Sequence, residues 1–196
     1  MHINDCTENT CVNQIQKIFH TAEVEVQREK RVKVKLRLDL VPLFLAYARD
    51  YLNFKHLAHI SCVDWIEENE FELVFMLWSY EASLMLMVKT RIDRDKPEFI
   101  TLSHLWPQAE TYEREIHEMF GINFKGNQRL GEFILEDWEG IPPMRRDFDT
   151  IRYSQENFYQ RPGREDAQDV RETISKHSGE KVPDFAKEFS IRRIEE

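Results

Sequence analysis

The stretch Tyr112-Glu-Arg-Glu-Ile-His-Glu-Met-Phe-Gly-Ile-Asn-Phe124 carries a charged helix face up to a glycine, after which the chain continues apolar. Pro107 suits a first helical turn and Gly121 suits a left-handed C-terminal cap, so a helix is expected over 107–120. Ala109, Tyr112, Ile116, Met119 and Phe120 recur at helical spacing as one apolar stripe, with Glu110, Glu113, Arg114, His117 and Glu118 gathered opposite. One face packs inward and the other offers charge. As a solvated surface, that charge would be laced by Glu110–Arg114 and Arg114–Glu118 pairs, each adding ~0.2–0.5 kcal/mol. As a docking element, it would face another chain. A metal site lacks ligands: Glu113 and His117 lie one turn apart, but the sequence has no His-Glu-x-x-His, no Glu-x-x-His and no second cluster.

Upstream, apolar residues at 12, 15, 18 and 19 fit a short helix from Cys11 to Phe19. Val24 and Val26, then Val32, Val34, Leu36 and Leu38, alternate as two arms of a hairpin turning at Glu29 and Lys30. Residues 40–54 regain helical spacing, with Pro42 near the start. Three strands follow, over 56–66, 71–80 and 83–90, the last two joined by a tight turn at Glu81 and Ala82. Their apolar runs point to burial on both faces in places. The expected fold is α+β, a mainly antiparallel, meandering sheet covered by helices on one face. A last short strand is expected over 132–135.

From about Arg152 to Lys181 aliphatic residues nearly vanish, so this stretch cannot bury enough surface to fold alone. Tyr153, Phe158, Tyr159, Phe185, Phe189 and Ile191 dot the polar segment. A disordered tail is one reading. Isolated apolar anchors favour the other, an extended arm ordered against a partner. The division is thus a folded domain over 1–150 and a polar arm over 151–196.

The 196 residues carry 27 Lys and Arg against 36 Asp and Glu, a net charge of −9, with no basic stripe interleaved with aromatics, which disfavours nucleic acid. Apolar runs such as 73–78 are far shorter than the ~20 residues of a bilayer crossing. Met1-His-Ile-Asn-Asp-Cys has neither a basic leader nor an apolar core, so the chain is expected in the cytosol or on a membrane through partners. Cys6, Cys11 and Cys62 form no Cys-x-x-Cys pair and read as free thiols, Cys62 as a small core residue.

No catalytic frame is present. Gly-x-Ser-x-Gly, a phosphate loop and Gly-x-Gly-x-x-Gly are all absent, and the seven histidines are scattered. The competing class is a stand-alone enzyme using Glu113, Glu115 and His117 as an acid–base set.

Three segments, Leu105-Trp-Pro-Gln-Ala109, Tyr112 to Ile122, and Asp137-Trp-Glu-Gly-Ile-Pro-Pro-Met-Arg-Arg-Asp-Phe148, resemble the thirty-kilodalton subunit of NADH:quinone oxidoreductase in order, spacing and identity. The resemblance extends more loosely over residues 20–101. It implies a peripheral-arm subunit with no catalytic residue, metal or cofactor of its own, in a hetero-oligomer whose partner subunits carry the iron–sulfur clusters. Its neighbours would be the large quinone-site or hydrogenase-like subunit, crossed by the C-terminal arm, and the small iron–sulfur subunit, on the cytoplasmic side of the membrane. By the same match Glu113, Arg114, Glu115, Phe120, Gly121, Trp138, Pro142, Arg145, Arg146 and Asp147 take domain-organising or interface roles, with Tyr153, Phe158 and Tyr159 on the arm. Lys125-Gly-Asn-Gln stands where the family has Gly-His-Pro and two basic residues, Pro143-Met-Arg-Arg replaces Pro-Leu-Arg-Lys, and Ile116-His117-Glu118 replaces an aromatic residue and Asp. These departures resemble the related subunits of membrane-bound hydrogenases and sulfur reductases.

Overall fold

Three ten-residue strands, β3 (His56–Trp65), β4 (Glu70–Ser79) and β5 (Leu84–Asp93), form because each alternates large apolar residues with a second, mixed set. Phe71, Leu73, Phe75 and Leu77 of β4 point into one core with Leu84, Leu86, Val88 and Ile92 of β5. The structure, a computed structural model, describes residues 8–157. Its other elements are α1 (Glu8–Ile18), β1 (Glu23–Arg28), β2 (Arg31–Lys35), a 3-10 turn at Leu38–Leu40, α2 (Val41–Asp50), β6 (Glu98–Ile100), α3 (Ala109–Phe120), β7 (Asn123–Lys125) and α4 (Thr150–Asn157).

The main sheet has the order β1-β2-β5-β4-β3. The hairpin β1–β2 turns at Lys30, whose φ of 58° the tight turn requires. The chain then crosses through α2 to the far edge, and the meander β3–β4–β5 brings β5 back beside β2. Strand β5 therefore meets β2 in parallel, with Val34 opposite Val88, while the other pairings are antiparallel. The sheet is mixed, with one parallel seam inside a mainly antiparallel frame.

Cys11 and Ile15 of α1, Val41, Phe44, Leu45 and Ala48 of α2, and Ala109, Ile116 and Phe120 of α3 join this one core. The helices thus cover one face, as the periodicity implies. Burying each such side chain contributes about 1.5–3 kcal/mol, so the sheet–helix layer dominates the stability. Trp106 sits in the same core, its indole N–H donating to the Lys55 carbonyl at 2.8 Å.

Two local expectations fail. Residues 132–135 form no strand; the chain there is a succession of bends. A strand appears instead at β7, which pairs in parallel with β6, Phe99 lying opposite Phe124. Residues 123–125 follow the Gly121 turn at once, so only the return of the chain to residues 98–100 makes them a strand. The described residues divide between two units, at Phe148 and Asp149. In the second, residues 150–157 are helical where an extended arm was expected: the Asp149 carboxylate accepts from the Ile151 and Arg152 amides at 3.1 and 2.9 Å, capping α4. The rest of the arm, including Phe158 and Tyr159, lies outside the described residues.

Phe75 occupies β4, next to the centre of the sheet, fully buried with its ring 5.5 Å from that of Phe99. Phe75→Ala is expected to lower the unfolding free energy by about 3–5 kcal/mol in urea titration. A loss below about 1 kcal/mol would mean that this layer is not the core.

Candidate functional site

Gly121 ends α3 in the left-handed region, at φ 78°, with its amide on the His117 carbonyl at 2.8 Å. The 3.6-residue repeat then places Glu110, Arg114 and Glu118 along one flank of the helix. The expected pairs four residues apart do not form there. Glu110 pairs with Arg129 at 3.4 Å, and the Arg114 guanidinium donates to the Glu132 carbonyl at 2.8 Å while lying 4.6 Å over the Phe133 ring. The two oxygens of Glu118 accept from the amides of Phe133 and Ile134 at 2.7 and 2.9 Å. The flank is therefore not a free solvated surface. It holds residues 126–148, a strap with no regular structure after β7, whose amides need acceptors that no ladder supplies.

Glu113 is fully buried. Its carboxylate accepts from the Leu102 amide at 2.6 Å, the Thr101 hydroxyl at 2.7 Å and the Asn127 side-chain amide at 2.9 Å. Burial pushes its pKa up, and these three donors pull against that without reversing it. One carboxylate thus ties α3 to the chain leaving β6 and to the start of the strap.

The far end of the strap returns to the helix terminus. Met144 donates its amide to the Met119 carbonyl at 3.0 Å, and the Arg145 Nε donates to the Phe120 carbonyl at 2.7 Å. These are last-turn carbonyls that the helix cannot satisfy itself, and a cation there also meets the negative end of the helix dipole. Arg145 lies 5.2 Å over the Phe71 ring as well. A Cβ on Gly121 would sit 2.9 Å from the Arg145 guanidinium and 3.3 Å from Pro142, so both space and backbone conformation call for glycine. Phe120, Gly121, Pro142 and Arg145, matched to the family by sequence, form one joint.

Asp64 anchors the next residues. It accepts from Arg94 through both oxygens at 2.9 and 3.2 Å and from the Arg146 amide at 2.9 Å, and Arg94 also donates to Asp147 at 2.7 Å. The Arg146 guanidinium reaches Glu67 at 2.6 Å in a largely exposed pair. Burial raises the Asp64 pKa, but the Arg94 and Arg146 hydrogen bonds outweigh it and hold the group below its ordinary range. Asp64 and Arg94 escaped the sequence reading, since 30 residues separate them and no local pattern links them. Burial, reinforced by Asp64, pushes the neighbouring Cys62 thiol far up, which leaves it unreactive.

Trp138 packs against Phe148, ring centroids 5.5 Å apart, and donates to the Ile141 carbonyl at 3.2 Å across a turn that includes Gly140 at φ 114°. Glu115 is half-buried and lies outside these contacts. Tyr153 falls in the second unit. While its backbone is tied down, the strap leaves Ile134, Ile141 and Met144 between 46% and 58% exposed.

Nothing in this arrangement resembles an acid–base set. Glu113 is enclosed by its three donors, and His117 Nδ1 is hydrogen-bonded to the Ile122 carbonyl at 2.8 Å. Among the described residues no group of three or more His, Cys, Asp or Glu could hold a metal ion, and no helix is long and apolar enough to cross a membrane.

Gly121→Ala should cost about 1–2 kcal/mol for the left-handed backbone, with further loss if Arg145 is displaced, measured by urea titration. An unchanged midpoint would mean that the joint does not constrain the backbone. Asp64→Ala leaves Arg94 buried with half of its pairing and should cost about 3–5 kcal/mol. Because the folded-state pKa of Asp64 is depressed, its stabilisation is present above the unfolded-state pKa of about 4 and disappears as pH falls through the lower folded value. Stability profiles between pH 6 and pH 2 should show this acid loss in the wild type and a shallower one in Asp64→Ala.

Residues 34–154 match the family described as the respiratory-chain NADH dehydrogenase 30 Kd subunit. The chain is 32% identical over 129 residues to the C subunit of F(420)H(2) dehydrogenase of Methanosarcina mazei, covering 65% of this chain and 82% of that protein. It is 28% identical to the C subunit of NADH-quinone oxidoreductase of Moorella thermoacetica, over 70% of this chain and 92% of the relative. Among solved structures, one chain of the membrane-bound sulfane sulfur reductase, an archaeal respiratory membrane complex, superposes with a TM-score of 0.72 at 38% identity, covering 78% of this chain and 93% of that one. The trypsin-resistant fragment (1-134) of Nqo5 shares the fold, with a TM-score of 0.55 at 22% identity over 63% of this chain and 99% of the fragment. With more than half of its length matched and its strap segments in place, the chain belongs to the family of the 30 Kd subunit of respiratory-chain NADH dehydrogenase, the accessory subunits of complex I-like assemblies.

Proposed function

We propose that this chain is a non-catalytic assembly subunit on the cytoplasmic side of a membrane-bound respiratory complex, packed against the large quinone-site or hydrogenase-like subunit and beside the small iron–sulfur subunit. The observation that carries this reading is the strap. Buried carboxylates and arginines fix its backbone, yet Ile134, Ile141 and Met144 point to solvent. Holding apolar side chains outward on a rigid support suits a docking surface, because ordering entropy is lost before the partner arrives. The chain carries no cofactor, and the clusters belong to its neighbours.

Relatives named as the C/D type of NADH-quinone oxidoreductase subunit support the choice of neighbour. In Hydrogenobaculum sp. the matching region is 23% of a longer chain, which joins the C-like part to a D part covalently. The likeness to the sulfane sulfur reductase chain, at 38% identity, favours a sulfur-reductase branch over an NADH dehydrogenase. The arm beyond residue 157 wraps the large subunit.

A tagged chain captured from native membranes in mild detergent, with mass spectrometry of the eluate, tests the branch. A hydrogenase-like large subunit and antiporter-like membrane subunits without an NADH module are expected. Flavin- and NADH-binding subunits would assign the respiratory dehydrogenase branch instead, and capture of no partner would overturn the assembly role. In limited trypsin digestion the arm should be cleaved in the isolated chain and spared in the complex. Equal protection in both would mean that the arm folds onto its own domain.

A further inference from the structure

The side of the main sheet turned away from the helices is apolar along its middle. Register places Val63 opposite Glu72, Ser61 opposite Val74, Met76 opposite Met87 and Trp78 opposite Met85. Val74 and Met87 are buried, yet neither belongs to the core beneath the helices. Trp65 and Val63 at one end are 37% and 41% exposed, and Tyr80 at the other is 72% exposed, its ring in contact with those of Trp78 and His56. A charged or hydroxyl-bearing set is what a sheet face left to water carries. Tryptophan, tyrosine and methionine are instead the residues enriched at the centre of protein–protein contacts, methionine because it adapts its shape.

The charges around this band are already matched within the chain. Lys33 pairs with Glu25 and Lys35 with Glu23, Lys89 pairs with Glu72, and Arg91 reaches Glu68, Glu70 and Glu72 while lying 4.6 Å over the Trp65 ring. The face therefore offers no unmet cation row for nucleic acid or anionic lipid, and no unmet anion row for a basic segment. Its electrostatic complement is an uncharged, apolar protein surface.

We infer that the open face of β3–β4–β5 is a second docking surface, occupied by an uncharged apolar surface of another subunit of the same complex, an inference that rests on the assembly role proposed above. Three ten-residue strands present a footprint of about 33 Å by about 14 Å, less than the about 800 Å² that one side of a standard interface buries, so this face is one part of a larger contact. It adjoins the strap. Asp64 and Glu67, next to Trp65, hold Arg146, so both surfaces share one end of the domain. A different subunit, not a second copy, is the occupant because the C/D relatives set a single C-like region beside a different partner in one chain.

The test compares the full-length wild type with Met85→Glu and Tyr80→Ala, each tagged and captured from native membranes. Tyr80 is exposed enough for its removal to leave folding intact, which guards against Met85→Glu failing for lack of a fold. Both isolated variants should melt within about 2 °C of the wild type, and capture of partner subunits should fall about tenfold for Met85→Glu and measurably for Tyr80→Ala. Variants that melt normally and capture partners in full overturn this inference alone, provided the wild type captures them. A wild type that captures no subunit overturns the proposed function and this inference with it. Light scattering that shows the isolated wild type as a dimer, and both variants as monomers, would assign the face to a second copy and also overturn it.

Discussion

A segment without a ladder of its own must still find partners for its backbone amides, and the strap over 126–148 depends on that constraint. Three carboxylates meet it from the folded elements beside it. Glu113 takes the Asn127 side chain at the entrance, Glu118 takes two amides in the middle, and Asp64 takes the Arg146 amide near the exit. Two of the three are buried, so each would be costly without its donors, and the donors would be costly without them. The mutual requirement fixes one course for a chain that has no secondary structure to guide it.

The arginines play the reciprocal part. Arg114 and Arg145 fill carbonyl positions that neither the strap nor the end of α3 can satisfy internally, and their planar faces cover Phe133 and Phe71. A lysine would keep the charge and lose both the forked donor geometry and the stacking. The helix flank thus acts as a clamp whose contacts run outward to the strap, and pairing along the helix, at a few tenths of a kcal/mol, is the weaker alternative that gives way.

The domain consequently has three kinds of surface. The helix side of the sheet is closed by its own core, the strap holds isolated aliphatic side chains outward on fixed backbone, and the open sheet face carries Trp, Met and Tyr between self-matched charges. Rigid backbone beneath apolar exposure reduces the ordering cost of association, which is how a small subunit without chemistry of its own can organise larger neighbours.

Composition, periodicity and turn chemistry are local, and they determined what local rules can reach: the hairpin, the three long strands, α3 with its glycine cap, the one-sided helix cover, the lack of a catalytic frame and the family segments from Leu105 to Phe148. Tertiary structure alone decided the rest, because the deciding contacts join residues far apart in the chain. The β2–β5 parallel seam arises from a crossover of the whole sheet, and β7 exists only because residues 98–100 lie beside it. Asp64 becomes a strap anchor through Arg94 and Arg146, 30 and 82 residues away, and the flank of α3 turns from apparent solvent surface into a clamp once residues 126–148 fold across it. Periodicity reports which side of an element is polar, and only the fold reports whether water or another stretch of chain meets that polarity.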